Sequence, residues 1–354
     1  LDFLISDDAR RILWRFADHD NSQGKNLAQA LVTFERAWAS SGPGETLEAD
    51  EPSAWVAAGT RAAARLLSAV EPVILYQRER FRGGSGAGAG TPRYDLGLQM
   101  KEDAVHRLLD VWTGGESCAA LSFQAARLLD RRGPESVANV LCPACKVWSI
   151  HHASGLMREA LSLLGGIGVT EDCPGRLVHK WIDSQREAMC EGAQGGAQRR
   201  LAVAMSDELF LRHLREWMRE LQAIVATHSG IGAGALAVAM EVWLWTFERM
   251  PREALALVDL LCGILASRAQ ILDVIELLRA NPSEAALLSD LCHIQAVNVT
   301  GEVARVCAGL VYGYGDDSAG VGFAEMQILL DGALAGSLAV KDRALEALIR
   351  VKTL

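Results

Sequence analysis

Proline, tyrosine and phenylalanine are scarce in this sequence of 354 residues, at nine, four and eight. No stretch sustains the period-two alternation of a half-buried strand. Together these absences argue against a sheet-rich fold. No basic tract offsets the 44 acidic residues, which outnumber the 35 basic ones for a net charge of −9. That balance argues against a nucleic-acid partner. No uninterrupted apolar run reaches the roughly 18–20 residues needed to cross a bilayer, so no transmembrane segment is expected. The nearest stretch, "GIGAGALAVAMEVWLWTF", is rich in glycine and interrupted by Glu241, and reads as a buried helix. The eight cysteines lack the spacing of a compact disulfide scaffold, which predicts a reducing compartment. There is no internal repeat and no targeting signal at the start. The first residue is Leu1 rather than Met, as expected of a processed or partial chain.

Half of the residues are hydrophobic, and leucine, alanine and arginine recur, a composition that favours helices. Apolar spacing of three and four predicts helices in "DDARRILWRFAD", capped by Asp7, and in "NLAQALVTFERAWAS". Residues 54–82 read as one helical stretch, kinked or divided at Pro72, with alanine and arginine on its other faces. Three more helices are predicted over about 96–131, 135–164 and 183–205. Residues 40–53 and the glycine-rich 82–92 read as loop and linker. Beyond 206 the helical texture continues. Pro251 suits a first helical turn, Asn281 with Pro282 suits a helix start, and "GYGDDSAGVG" (313–322) reads as a loop. The expected fold is all-α. A segment over 1–49 precedes an antiparallel bundle over 50–205, and a helical extension over 206–354 packs behind it.

Several short motifs carry little chemistry. "CPAC" (142–145) has the spacing of a redox or zinc half-site, but no second pair follows and it reads as buried helix. His151 and His152 are adjacent and therefore point to different sides of a helix. "GIGAGALA" (230–237) lacks the residues of a phosphate loop and reads as close helix packing. Asp316 and Asp317 lack the ligand ladder of a calcium loop. No metal site is expected. Trp243 and Trp245, two apart, cannot share a helix face, so one is expected to meet a neighbour, such as another chain.

A denser signal lies at 156–205. "REALSLLGGIGVTEDCPG" is followed by "IDS" at 182–184 and "CEGAQGGAQRRLAVAM" from Cys190. Taken alone, Glu191 reads as a carboxylate favoured by a helix N-terminus, and the glycines as a tight turn between helices. The combination resembles the C-terminal helical domain of the acyl-CoA dehydrogenase family, with the earlier helices of 50–164 fitting in length and order. The resemblance implies that Glu191 is the base removing the α-proton of an acyl thioester. It also implies that Gly165, Gly166, Gly168 and Gly192 let the cofactor, FAD, or the thioester approach the backbone closely. "ILYQRERFRGG" falls near a flavin-contacting segment of the family. Such a base needs a dry pocket that raises its proton affinity, and donors for the enolate-like charge that develops.

Departures from the family pattern run against an intact flavin site. Ser162 stands where the family has glutamine, Ala193 where it has threonine, and Cys190 where it has an aromatic residue. Ile182 replaces the arginine of an arginine–aspartate pair and leaves Asp183 without that partner. Family members hold FAD between this bundle and a β-barrel domain, beside an N-terminal helical domain, and residues 1–50 are too short for either. Two functional expectations follow. One is an accessory subunit, without a cofactor, acting as an interaction module in a larger assembly. The other is an active FAD-dependent dehydrogenase forming 2,3-enoyl-CoA, with acyl-CoA as substrate and its site completed by a partner. Both imply other protein subunits as partners, in a homo- or hetero-oligomer, and a place on the mitochondrial matrix side or in bacterial cytoplasm.

Overall fold

The computed structural model describes residues 25–39, 51–80, 102–190, 194–280, 285–313 and 317–350. No strand occurs among the described residues. The first half contains α1 (Lys25–Ala39), α2 (Pro52–Leu67), α3 (Val70–Glu79), α4 (Glu102–Asp130), α5 (Glu135–Val147), α6 (Ser149–Leu164), α7 (Leu177–Cys190) and α8 (Gln194–Ala204). The second contains α9 (Glu208–Thr227), α10 (Ala233–Arg249), α11 (Ala254–Ala280), α12 (Ala285–Gly313), α13 (Asp317–Leu334) and α14 (Ser337–Arg350). This is the expected all-α antiparallel bundle with further helices behind it. The helix starting at Asp7, most of the expected loop over 40–53, the linker over 82–92 and the Asn281–Pro282 start lie outside the described residues.

Helix α4 organises the packing. Its 29 residues bury side chains on every face, including Leu108, Leu109, Trp112, Thr113, Cys118, Leu121 and Phe123. On one side it packs against α2, α5 and α6, and on the other against α11, α12 and α14. The hydrophobic core is therefore continuous from Leu27 to Leu348. Polar links reinforce the junction between halves. The Thr113 hydroxyl donates to the Leu291 carbonyl at 2.6 Å, and Arg127 pairs with Asp273 at 3.0 Å. Asp130, at the end of α4, accepts from the Asn26 and Leu27 backbone N–H groups at 2.9 Å. It thus caps the start of α1 from a distant part of the chain.

Several expected boundaries shift for local reasons. The stretch over 54–82 divides at Ser68–Ala69, not at Pro72. Pro72 is the third residue of α3, a position whose N–H has no intrahelical partner to lose. Arginines of α2 expected on its outer faces are drawn inward: Arg65 is 2% exposed. The 135–164 stretch breaks at Trp148, whose buried ring lies against Gly263 of α11. The 183–205 stretch instead starts at Leu177 and forms two helices, α7 and α8. Helix α13 already starts at Asp317, inside the expected 313–322 loop. The neighbour of Trp245 is Phe323 of α13, at 5.7 Å between ring centroids, so the expected contact is made within the chain. Trp243 is fully buried and donates to the Leu257 carbonyl at 2.9 Å.

By length and composition two stretches, Pro251–Ala280 and Gly322–Arg350, could cross a membrane, contrary to the expectation from uninterrupted apolar runs. The first is 78% buried inside the protein. The second is interrupted between α13 and α14 at Gly336, whose φ is +79°. Its separate pieces have 18 and 14 residues, and the longer carries Asp317, Glu325 and Asp331.

Candidate functional site

The glycine turn follows directly from how α6 ends. Gly165 takes φ +64° and ψ −141°, and its N–H bonds back to the Ser162 carbonyl. A side chain would be strained at that φ, so the helix stops there. The tight turn Gly165–Val169 and a second one, Pro174–Arg176, then lead into α7. The three glycines differ in role. A Cβ on Gly168 would sit 2.5 Å from the Leu161 carbonyl oxygen, so this glycine serves packing within the protein. A Cβ on Gly166 would meet nothing within 4 Å, and the residue is exposed. Gly165 faces the Arg80 guanidinium, 3.7 Å from where its Cβ would stand. Its neighbour Gln77 is buried and donates to the Leu163 carbonyl, tying α3 to the end of α6. Gly165 and Gly166 thus form an open backbone ledge with a cation beside it.

Glu191 and Gly192 lie outside the described residues, between the end of α7 and the start of α8, as does Ala193. The positions around them are defined. Ser162 is exposed, and its hydroxyl receives the Arg107 guanidinium at 2.6 Å and donates to the Glu159 carbonyl at 2.7 Å. Asp183 is buried, with Arg186 at 4.0 Å as its cationic neighbour. Ile182 and Met189, two turns apart on α7, share a face and are 47% and 74% exposed. Val169 and Val203, on the turn and on α8, are exposed as well.

The inner face of α7 carries a cluster that sequence reasoning missed. Glu187 pairs with Arg65 at 2.9 Å and lies 3.5 Å from Arg61. Lys180 is buried and donates to the Ser68 hydroxyl at 2.8 Å and to the Trp38 carbonyl at 3.1 Å. Burial, with Arg65 and Arg176 nearby, pushes its pKa down to about 8. Two arginines therefore share the Glu187 carboxylate, while Lys180 on the same helix is held by uncharged oxygens. The spacing of Arg61 and Arg65, one turn apart in an alanine-rich helix, was the visible signal. The approach of Arg80 to Gly165 was also missed; the "RERF" segment pointed to it without fixing its neighbour.

The other motifs follow their bland readings. Cys142 and Cys145 are buried, and burial pushes the Cys142 thiol up to about 12 and Cys145 well above its ordinary value. Neither is a reactive thiolate at neutral pH. His152 stacks on Trp148 at 4.4 Å, and burial lowers its pKa to about 4, whereas His151 points outward. Gly232 starts α10 with φ +85°, and a Cβ there would meet Ala296 at 2.6 Å, so "GIGAGALA" serves close helix packing. A separate cavity of about 770 Å³ lies between the two halves, lined by Trp148, His152, Asp259 and Gln295 among others, and does not include the glycine turn.

Residues 98–205 match the family described as acyl-CoA dehydrogenase, C-terminal domain. No curated protein matches the sequence. Among solved structures, the Bacillus anthracis acyl-CoA dehydrogenase complexed with FAD superposes with a TM-score of 0.62 at 11% identity. The match covers 84% of this chain and 55% of that one. Caenorhabditis elegans ACDH-11 in complex with C11-CoA gives 0.53 at 15% identity, over 68% of this chain and 42% of that one. The tomato acyl-CoA oxidase LeACX1 gives 0.53 at 13% identity, over 87% and 52%. The chain spans about half the length of these solved relatives. Residues 98–205 thus carry the match to the acyl-CoA dehydrogenase C-terminal domain, and the chain shares the all-helical fold of these solved structures.

Proposed function

We propose that the chain serves as a helical wall and interaction module in an acyl-CoA dehydrogenase-like assembly, with the end bearing the glycine turn and α7 facing another protein surface. One observation carries this reading. Where the family pattern places an arginine, α7 presents Ile182, and on the same face Met189, both solvent-exposed. Exposed apolar side chains on one helix face suit a protein partner better than an anionic cofactor.

The fit to FAD is incomplete. The open ledge of Gly165 and Gly166 beside Arg80 would accept the close approach of an anionic group. Ile182 supplies no charge, and the Ser162 hydroxyl is occupied by Arg107 and Glu159. The described residues therefore form no complete clamp for the flavin. A second reading rests on Glu191 and Gly192 standing in the matched segment. With walls supplied by further protein, a desolvated Glu191 would take the α-proton of an acyl thioester, while FAD would supply the oxidising chemistry.

Absorbance spectra and sedimentation of the purified native protein test the proposal. The expected result is an oligomer or complex without stoichiometric flavin at this chain, dissociated by Ile182→Asp combined with Met189→Asp. Stoichiometric bound FAD, with acyl-CoA-dependent dye reduction abolished by Glu191→Gln, would overturn it in favour of the second reading.

A further inference from the structure

Far from the glycine turn, the start of α4 meets α14. Glu102 and His106 stand four residues apart, which places them on one face of α4. Asp342 comes from α14, at the other end of the sequence. The His106 Nε2 lies 3.0 Å from Asp342 Oδ1, and one ligand atom from each of the three residues lies within 4.8 Å of the other two.

From this geometry we propose that Glu102, His106 and Asp342 form a divalent-metal site that staples α14 to the start of α4. A nitrogen and an oxygen 3.0 Å apart have the separation of adjacent ligands around an ion with bonds of about 2.0–2.2 Å. The Glu102 carboxylate is exposed, so a small rotation brings it into the same sphere. One imidazole and two carboxylates suit a borderline ion such as Zn²⁺ or Mn²⁺, with water completing the coordination. His106 ligates as the imidazole through Nε2, the nitrogen that faces Asp342.

The scaffold holds the ligands in place without the ion. On one side of Asp342, Lys341 pairs with Asp110 of α4 at 2.6 Å. On the other, Arg343 pairs with Asp290 of α12 at 2.9 Å. These flanking pairs fix the register of α14 against α4, so the ion does not have to order two free elements. Cys118, Cys142, Cys145, Cys173, Cys262, Cys292 and Cys307 are buried, so these seven thiols do not compete for zinc at the surface of the folded protein.

Titration of the full chain with Zn²⁺ by calorimetry, paired with thermal melting, tests the site. One equivalent should bind, and the melting temperature should rise with zinc concentration. Glu102→Gln and Asp342→Asn should each weaken binding by about tenfold or more and remove the zinc-dependent rise. Glu102→Gln alters an exposed side chain and should leave the metal-free melting temperature unchanged, which separates loss of a ligand from loss of fold. Absence of a one-to-one binding event would overturn the proposal. So would undiminished binding in both variants, which would mark the zinc as adventitious.

Discussion

Two buried cations, one in each half of the molecule, are held in opposite ways. In the second half, Arg268 is buried between a carboxylate and an indole: it pairs with Glu220, and its guanidinium lies 4.4 Å from the centre of the Trp217 ring. Burial lowers its pKa while Glu220 opposes the shift, and guanidinium remains charged at any ordinary pH. In the first half, Lys180 is held by neutral oxygens only, those of Ser68 and Trp38, with Arg65 and Arg176 repelling its charge. The half that bears the matched family segment thus buries one cation without a carboxylate of its own, beside Arg65, which has Glu187. The other half neutralises its charge where it buries it. On the partition between them stands Glu116 of α4, whose pKa burial raises to about 7; the Trp112 hydrogen bond opposes that rise and Asp273 adds to it.

Three substitutions probe this contrast. The largest effect is expected at Glu116. Its carboxyl holds its proton to about pH 7 in the folded protein but only to about 4.5 when unfolded. The stability it permits is complete below pH 4.5 and is lost as pH rises through 7. Glu116→Gln should therefore leave stability at pH 4 nearly unchanged and raise it at pH 8 by on the order of 2–3 kcal/mol, measured by urea unfolding. Next comes Arg268→Met, which removes the ion pair and the cation over Trp217 and should cost about 1–2 kcal/mol, nearly independent of pH from 6 to 9. An effect that faded with pH would erase the contrast with Lys180.

The smallest effect belongs to Lys180→Met, within about 1 kcal/mol at neutral pH, because the lost hydrogen bonds offset the relieved repulsion. Its pH dependence is the diagnostic part. Below pH 8 the amine is charged in folded and unfolded chains alike, and the cost of burying it is fully present. Between about 8 and 10.5 only the unfolded chain keeps the proton, so that cost fades as pH rises. The variant should therefore compare best with the parent at pH 7 and lose ground by pH 9.5, as read from paired unfolding curves.

The helices themselves were legible in the sequence because helical period and composition are local properties. "NLAQALVTFERAWAS" became α1 with little adjustment, and the glycine-rich turn after α6 stands where "GGIGVTED" placed it. The errors came from forces acting across the chain. Spacing marked Arg61 and Arg65 as outward residues, but Glu187 from α7 draws Arg65 inside. Trp148 looked like the middle of one helix, but α11 offers its ring a place beside Gly263 and the chain breaks to reach it. At the candidate site, the motif identified three glycines of one apparent kind. Only coordinates separate Gly168, pressed on the Leu161 carbonyl, from Gly166, open to any visitor.

The reach of α4 has a consequence for how this polypeptide could have been assembled or divided. A family boundary drawn at residue 205 does not mark a place where the protein can be cut. A fragment ending there would leave α4 with one flank stripped of α11, α12 and α14, exposing a greasy strip about 40 Å long. The segment that matches the family model and the helices that follow it thus stand or fall as one folded body.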